Sequence, residues 1–387
     1  MIVIATVLLV LGFVAFKYFP VWNAEIQRHA EISRLRSAAR RGDANAQVML
    51  GEAYYLGRGV SRNYAKTAKW YRSAADEGWV PADGYLASLY MIGRGVPKDF
   101  SKALFWAEKA AGGGDPGGEN DVGVLYLRGW GVPRNYEQAR VFLTKAAKEG
   151  EVNAENNLGM LYSHGWGVRR DFRKAFGLFH AAAGQGFANA EYNLGVLYDH
   201  GTGVPQNFSA AAKWYRMAAK QGYPRAESNL AMLYGKGDGV PKDYKKSAKW
   251  AFKAAAHGDS VADNSLGVLY LHGWGVPRDI GKAFRLFRES AKGGYAAARA
   301  NVGVCYWHGF GTVQNFGTAA EWFRKSARQG YAPAEADLGR AYMLGRGVPR
   351  DIVKARKWFA KAAAAGDPHG KQGLEELQKL APVGTKK

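Results

Sequence analysis

A Gly-x-Gly step followed by Val, once by Thr, begins at Gly57, Gly93, Gly129, Gly165, Gly201, Gly237, Gly273, Gly309 and Gly345, each 36 residues after the last. No insertion or deletion interrupts the series. Self-similarity at a period of about 20–50 residues marks stacked units that touch mainly their neighbours. Such a chain exposes long surfaces on which equivalent side chains form rows.

The first unit shows how each period folds. Ala46, Leu50, Gly51 and Tyr54 recur at helical spacing, and three units later the same places hold Ala154, Leu158, Gly159 and Tyr162. Tyr occupies its place in all nine units, from Tyr54 to Tyr342. Small and apolar residues at i, i+4 and i+8 make one buried stripe, so this segment is a helix, here called helix A. Its end at the first glycine suits a left-handed cap. A Val-Pro-Lys/Arg turn follows, and proline cannot continue the helix. Asn or Asp then stands at 63, 99, 135, 171, 207, 243, 279, 315 and 351, where a short polar side chain accepts from the free amides of a second helix. That second helix, helix B, carries aromatics such as Trp70 and Tyr71 and an Ala pair (Ala74–Ala75, Ala146–Ala147) before Gly78 or its equivalent. The 13% aromatic content is mostly this repeated core.

The pattern Ala-x-x-x-Leu-Gly-x-x-Tyr, Gly-x-Gly-Val-Pro-x-Asp/Asn-Tyr/Phe, then Ala-x-x-Trp-Tyr/Phe-x-x-Ala-Ala resembles the Sel-1-like repeat, a relative of the tetratricopeptide repeats. The resemblance covers residues 43–366. It implies an all-α, right-handed α/α superhelix of nine helix-turn-helix units and a scaffold or adaptor role with a protein or peptide partner. Departures are local: Val168–Arg170 and Thr312–Gln314 replace the usual turn, and Leu178 and Leu286 replace aromatics.

Four segments are expected: an anchor over 1–23, a capping helix over 24–42, the repeats over 43–366, and a capping helix with a tail over 367–387. Residues 2–22 are apolar except for Lys17 and polar only at Thr6 and near Tyr18, long enough to span a bilayer. No basic residue precedes them and no small-x-small site follows, which argues for a retained transmembrane helix over a cleaved signal. Arg28, Arg34, Arg36, Arg40 and Arg41 lie just beyond, against Glu25 and Glu31. Basic flanks favour the cytoplasm, so a single-pass protein with a cytoplasmic solenoid is expected; an extracytoplasmic solenoid is the alternative.

The net charge is +21. A basic residue precedes the helix-B cap at Arg62, Lys98, Arg134, Arg170, Lys242, Arg278 and Arg350, broken by Gln206 and Gln314. This edge reads either as a solvated face or as attraction to an acidic partner or anionic lipid. Charge alone admits nucleic acid, but no recognition motif accompanies it, and nucleic acid is not expected.

A second face of helix A carries Asn157, Met160 and His164; Asn193, Val196 and His200; Asn229, Met232 and Lys236; Ser265, Val268 and His272; and Asn301, Val304 and His308. If helix A lines the concave wall, the amides can bond an extended peptide, with Met and Val adding apolar contact. The histidines invite a metal reading, but neighbouring helices lie about 8–10 Å apart and zinc ligands must converge near 2 Å, so no metal is expected. Within the Gly-x-Gly step stand Trp130, Trp166, Trp274 and Phe310, either exposed as contact anchors or folded back on the next unit. No catalytic motif is present and no cofactor is expected; the Gly-x-Gly steps lack the third glycine and the strand of a dinucleotide site. Cys305 sits where other units have Leu and reads as a small core residue. The expected function is a membrane-tethered adaptor rather than an enzyme; the alternative is an envelope protein whose basic surface holds polysaccharide, peptidoglycan or anionic lipid.

Overall fold

The computed structural model describes residues 30–380, which are helical throughout apart from short turns and contain no strand. They fall into two compact units, one ending at Gln185 and one beginning at Gly186. In the first, helix α1 covers 30–40. Four A/B pairs follow: α2 (Ala44–Leu56) with α3 (Tyr64–Asp76), α4 (Val80–Ile92) with α5 (Phe100–Gly112), α6 (Pro116–Arg128) with α7 (Tyr136–Lys148), and α8 (Val152–His164) with α9 (Phe172–Gly184). The second holds α10 (Ala188–His200) with α11 (Phe208–Lys220), α12 (Pro224–Lys236) with α13 (Tyr244–Ala256), α14 (Ser260–His272) with α15 (Ile280–Lys292), α16 (Ala296–His308) with α17 (Phe316–Ala327), α18 (Ala332–Leu344) with α19 (Ile352–Ala364), and a last helix α20 (Pro368–Leu380). The expected anchor lies outside the described residues, and no described helix is long and apolar enough to cross a membrane.

The helix ends form as their residues require. Gly57 closes α2 at φ 75°, and its amide donates to the Ala53 carbonyl. The Asn63 side chain accepts from the Lys66 amide at 2.9 Å, and the Asp99 side chain accepts from Lys102 at 3.0 Å. Every helix-B cap repeats this, and each cap's own amide donates to the carbonyl of the Tyr row, as Asn63 does to Tyr54. A cap of this kind contributes about 1 kcal/mol.

The second glycine has a different task. Gly131 stands at φ 71°, and a Cβ there would come within 2.5 Å of the Phe100 backbone. Phe100 opens helix B of the preceding pair. Gly95, Gly239, Gly275 and Gly347 meet Tyr64, Phe208, Tyr244 and Phe316 in the same way. The loop of one repeat therefore seats directly on the first turn of the preceding helix B, too close for any side chain.

Inside each pair the core is matched place by place. The aromatic ring of helix B packs against the glycine of helix A: a Cβ on Gly51 would meet Tyr71 at 2.6 Å, and one on Gly159 would meet Phe179 at 2.6 Å. Gly195–Tyr215, Gly267–Phe287, Gly303–Phe323 and Gly339–Phe359 repeat the arrangement. Where helix A carries Ala87 or Ala231, helix B answers with Ala107 or Ala251, all buried. A large residue thus faces a glycine and a small one faces a small one. Cys305 is buried in the second unit, and burial pushes its thiol up to about 12, as suits a core residue. Within each unit successive helices A also approach one another, as α4 does α6 and α12 does α14, whereas no successive helices B come as close. Helix A thus forms the tighter wall.

The matching can be tested by a double-mutant cycle read by urea unfolding. Gly159→Ala should cost about 1–2 kcal/mol, overpacking partly offset by helix propensity. Combined with Phe179→Ala, which imitates the Ala87–Ala107 pair, its cost should fall by at least about 1 kcal/mol. Simple additivity would show that ring and glycine are not in register.

Candidate functional site: the helix-A wall

The wall is built from the second to the last turn of helix A and the loop that follows. In the first unit Asn157 donates to Asn120 Oδ1 at 2.9 Å, and Asn120 donates to Asp121 Oδ1 at 3.3 Å. Burial raises the Asp121 carboxyl to about 7, reinforced by Glu151 and Asp115; hydrogen bonds from Asn120 and Ser88 hold it back. In the second unit Asn301 donates to Asn264 Oδ1 at 2.8 Å. Asn229 reaches the hydroxyls of Tyr192 and Tyr215, and Asn193 is also partnered. The Asn row is thus engaged with the scaffold itself, chiefly across the joint to the preceding repeat. An amide has two N–H groups and an acceptor oxygen, so one bond does not exhaust it.

Apolar members lie between the amides. Met160, Val196, Met232, Val268 and Val304 are half-buried. Met232, Lys236, Val268 and Trp274 line one cavity of about 210 Å³, together with Asn264, Ser265 and Tyr244. The structure therefore brings four of the expected site residues, from two repeats, to a single concavity.

His164, His200, His272 and His308 are all exposed. His164 stacks on Trp166 at 4.4 Å, His272 on Trp274 at 4.3 Å and His308 on Phe310 at 5.2 Å. His164 Nδ1 also contacts the Met160 carbonyl at 2.9 Å. Among the described residues no group of three or more ligands stands close enough to hold a metal.

The loop aromatics fold back on the preceding unit, not the next. Trp130 stacks on Phe100 at 5.0 Å, Trp274 on Tyr244 at 4.9 Å and Trp166 on Tyr136 at 6.4 Å. Trp130 and Trp274 nonetheless keep 41% and 39% of their surface exposed, so each is both a strut and a contact surface.

The basic edge has a local explanation. Arg278 Nε donates to the Leu271 carbonyl at 3.1 Å, and Arg350 Nε to Met343 at 3.2 Å. Gln206 and Gln314 donate to Asp199 at 2.7 Å and Trp307 at 2.8 Å. The two apparent breaks in the row are therefore equivalents of Arg278 and Arg350: at these four positions a long donor closes the last turn of helix A. Lys98, Arg134, Arg170 and Lys242 instead lie over the ring that opens helix B, 4.8–5.6 Å from its centre. Arg62 is exposed.

Sequence reasoning missed one row. Asp83, Glu119, Glu155, Glu191, Glu227 and Glu335 are buried in the first turn of helix A. Asp83 takes Lys109 at 3.0 Å, Glu119 pairs with Lys145, and Gln185 and Gln221 donate to Glu155 and Glu191 at 3.2 and 2.9 Å. Burial raises Asp83, Glu155, Glu191 and Glu227 above the ordinary carboxylate range. Acids at a 36-residue interval, answered near the end of helix B by Lys or Gln in four pairs and by His257, 4.0 Å from Glu227, in a fifth, were the available signal. These groups brace the pair from inside and do not reach the wall.

Two-helix units stacked in register, with function left to their walls, define the α/α repeat solenoids. The profile of the Sel1 repeat matches nine successive segments, 44–79, 82–115, 116–151, 152–187, 188–223, 224–259, 260–295, 296–331 and 332–367. The chain belongs to the Sel1 repeat family. It is similar to c5321, a protective antigen of uropathogenic Escherichia coli with this fold, at 28% identity over 91% of each chain and a TM-score of 0.54. It is also similar to a Sel1 repeat protein of Oxalobacter formigenes, at 33% identity over 63% of this chain and 96% of that one, with a TM-score of 0.58. No curated protein matches the chain. Proteins built from these repeats are generally protein-interaction scaffolds.

Two measurements check the wall. Arg278→Leu should lower stability by about 0.5–1 kcal/mol in urea unfolding, whereas Arg278→Gln should change it little; equal losses would make charge, not donation, the reason for the row. Asp121 has a folded value of about 7 against about 3.9 for an ordinary Asp. A raised carboxyl favours folding below the lower value, and that contribution is lost as pH climbs to the upper one. Asp121→Asn should therefore gain stability relative to wild type between about pH 4 and 7; a pH-independent difference would contradict the assignment.

Proposed function

We propose that this protein is a membrane-tethered scaffold that receives a protein or peptide partner along the helix-A wall. The observation that carries the reading is the concavity formed by Met232, Lys236, Val268 and Trp274, where an apolar floor meets one cation and the Asn264 and Ser265 side chains. Such a mixture suits an extended segment with alternating apolar and acidic side chains. The apolar run 2–22 supplies the tether, and the basic flank after it favours a cytoplasmic solenoid. Helix α1 and helix α20 serve as caps of the stack. A polyanion-holding role is less well supported, because the basic edge is used locally to close helices and cover rings.

A photo-crosslinking residue at Met232 or Val268 of the full chain should give discrete partner adducts in native membranes. The same residue at Lys249, on the helix-B side, should not, and Trp274→Ala should reduce the Met232 adducts several-fold. Equal labelling at all three positions would end the reading. Deleting residues 1–23 should release the protein from carbonate-washed membranes; unchanged retention would remove the tether.

A further inference from the structure

The first two repeats depart from the rest of the wall. Where the third to eighth units carry His, Lys or Arg, α2 and α4 present Leu56 and Ile92, exposed at 38% and 52%; the ninth unit has Leu344 there, 46% exposed. Where later units carry Asn, Asp or Ser, α4 presents Tyr85, 46% exposed. Glu52 is the sole acid of its row, which elsewhere reads Ser, Val, Met or Arg. These side chains, with Tyr55, Tyr71, Ser88 and Leu89, line a cavity of about 360 Å³.

Its polar elements suit a cation. The Tyr71 and Tyr85 rings pack on one another, 5.0 Å apart at 35°; Tyr71 is buried and backs Tyr85, which remains 46% exposed. The Glu52 carboxylate is near enough to raise the Tyr71 phenol, adding to the effect of burial. Its nearest cation is Arg58 at 3.9 Å, with side chains 54% and 73% exposed, a contact worth little. Tyr55 already accepts from Arg94 at 2.8 Å, and Arg94 lies 5.8 and 5.4 Å from the Tyr55 and Tyr64 ring centres. The wall itself thus provides one instance of a guanidinium held by tyrosines.

The geometry points to a receptor for an arginine side chain of a partner peptide, formed by Glu52 and the exposed part of Tyr85, backed by Tyr71, with Leu56 and Ile92 at the rim. A guanidinium stacks on a phenol face and forks onto a carboxylate; an ammonium is more strongly hydrated and offers no plane. The aliphatic stem and the neighbouring peptide residues cover Leu56 and Ile92. This pocket shares no residue with the Met232 concavity, so either stands if the other fails.

The test uses the full chain in detergent micelles and a fluorescein-labelled, amidated Ala-Leu-Arg-Leu-Ala peptide followed by anisotropy. The control peptide carries citrulline, which keeps shape and loses charge. The arginine peptide should bind at least tenfold more tightly than the citrulline peptide. Glu52→Gln and Tyr85→Ala should each erase that preference, while Tyr85→Phe and Met232→Ala should retain it. Both key side chains are substantially exposed, so the variants should unfold at the wild-type urea midpoint. Equal binding of the two peptides, no saturable binding, or an unchanged preference in folded Glu52→Gln would overturn the proposal. Displacement of the peptide by choline at lower concentration than by arginine amide would overturn it too, in favour of a quaternary ammonium ligand.

Discussion

Within each compact unit the Gly-x-Gly loops, as at Gly95, Gly131, Gly239, Gly275 and Gly347, rest on the first turn of the helix B before them, and the packing of successive repeats depends on that seat. The contact is backbone against backbone, so it tolerates no Cβ and leaves no slack. Its geometry fixes where a helix A must end and where the next helix B must begin. The residue between the glycines then packs over the same turn, as Trp130 does on Phe100 and Arg346 does over Phe316 at 5.3 Å. A stack assembled through so short a contact carries small errors forward, which gives a physical reason for an uninterrupted 36-residue period.

With the joint fixed, the interior follows from volume. A ring in helix B needs a glycine opposite, and an alanine opposite needs an alanine. The carboxylates of helix A are bought into the core by Lys109, Lys145, Gln185 and Gln221, which reach them from the far end of helix B. Removing either partner of such a pair leaves a buried polar group exposed to the full cost of desolvation. The interior is thus specified by pairs, and the pairs recur.

The walls are under weaker constraint, and there the repeats differ from one another. The middle of the helix-A wall mixes amides, Met and Val; its first two repeats are apolar and aromatic around a single carboxylate. Much of the apparent patterning on these surfaces still serves the fold. The Asn row ties repeat to repeat, the basic edge closes some helices and covers the opening rings of others, and the loop aromatics brace the preceding repeat. Function must be sought where a wall departs from its own row, because those departures have no counterpart in the joint or the core.

The sequence by itself determined the helices, their order and their ends. Those depend on local chemistry, and nine repetitions of Gly, Asn/Asp and the Tyr stripe make that chemistry unambiguous. It also placed Cys305 in the core and the Asn, Met and Val side chains on one face. Only the tertiary structure decided what those side chains touch. Whether Trp130 leans forward or back, whether Gln206 breaks a basic row or completes a set of donors, and whether Asn157 is free or bonded to Asn120 are matters of distance between residues 7–37 apart in sequence. The Tyr71–Tyr85 contact was equally hidden, since it joins helix B of one repeat to helix A of the next. Periodicity reports on a residue's own helix; packing between helices is set by the shape of both surfaces at once.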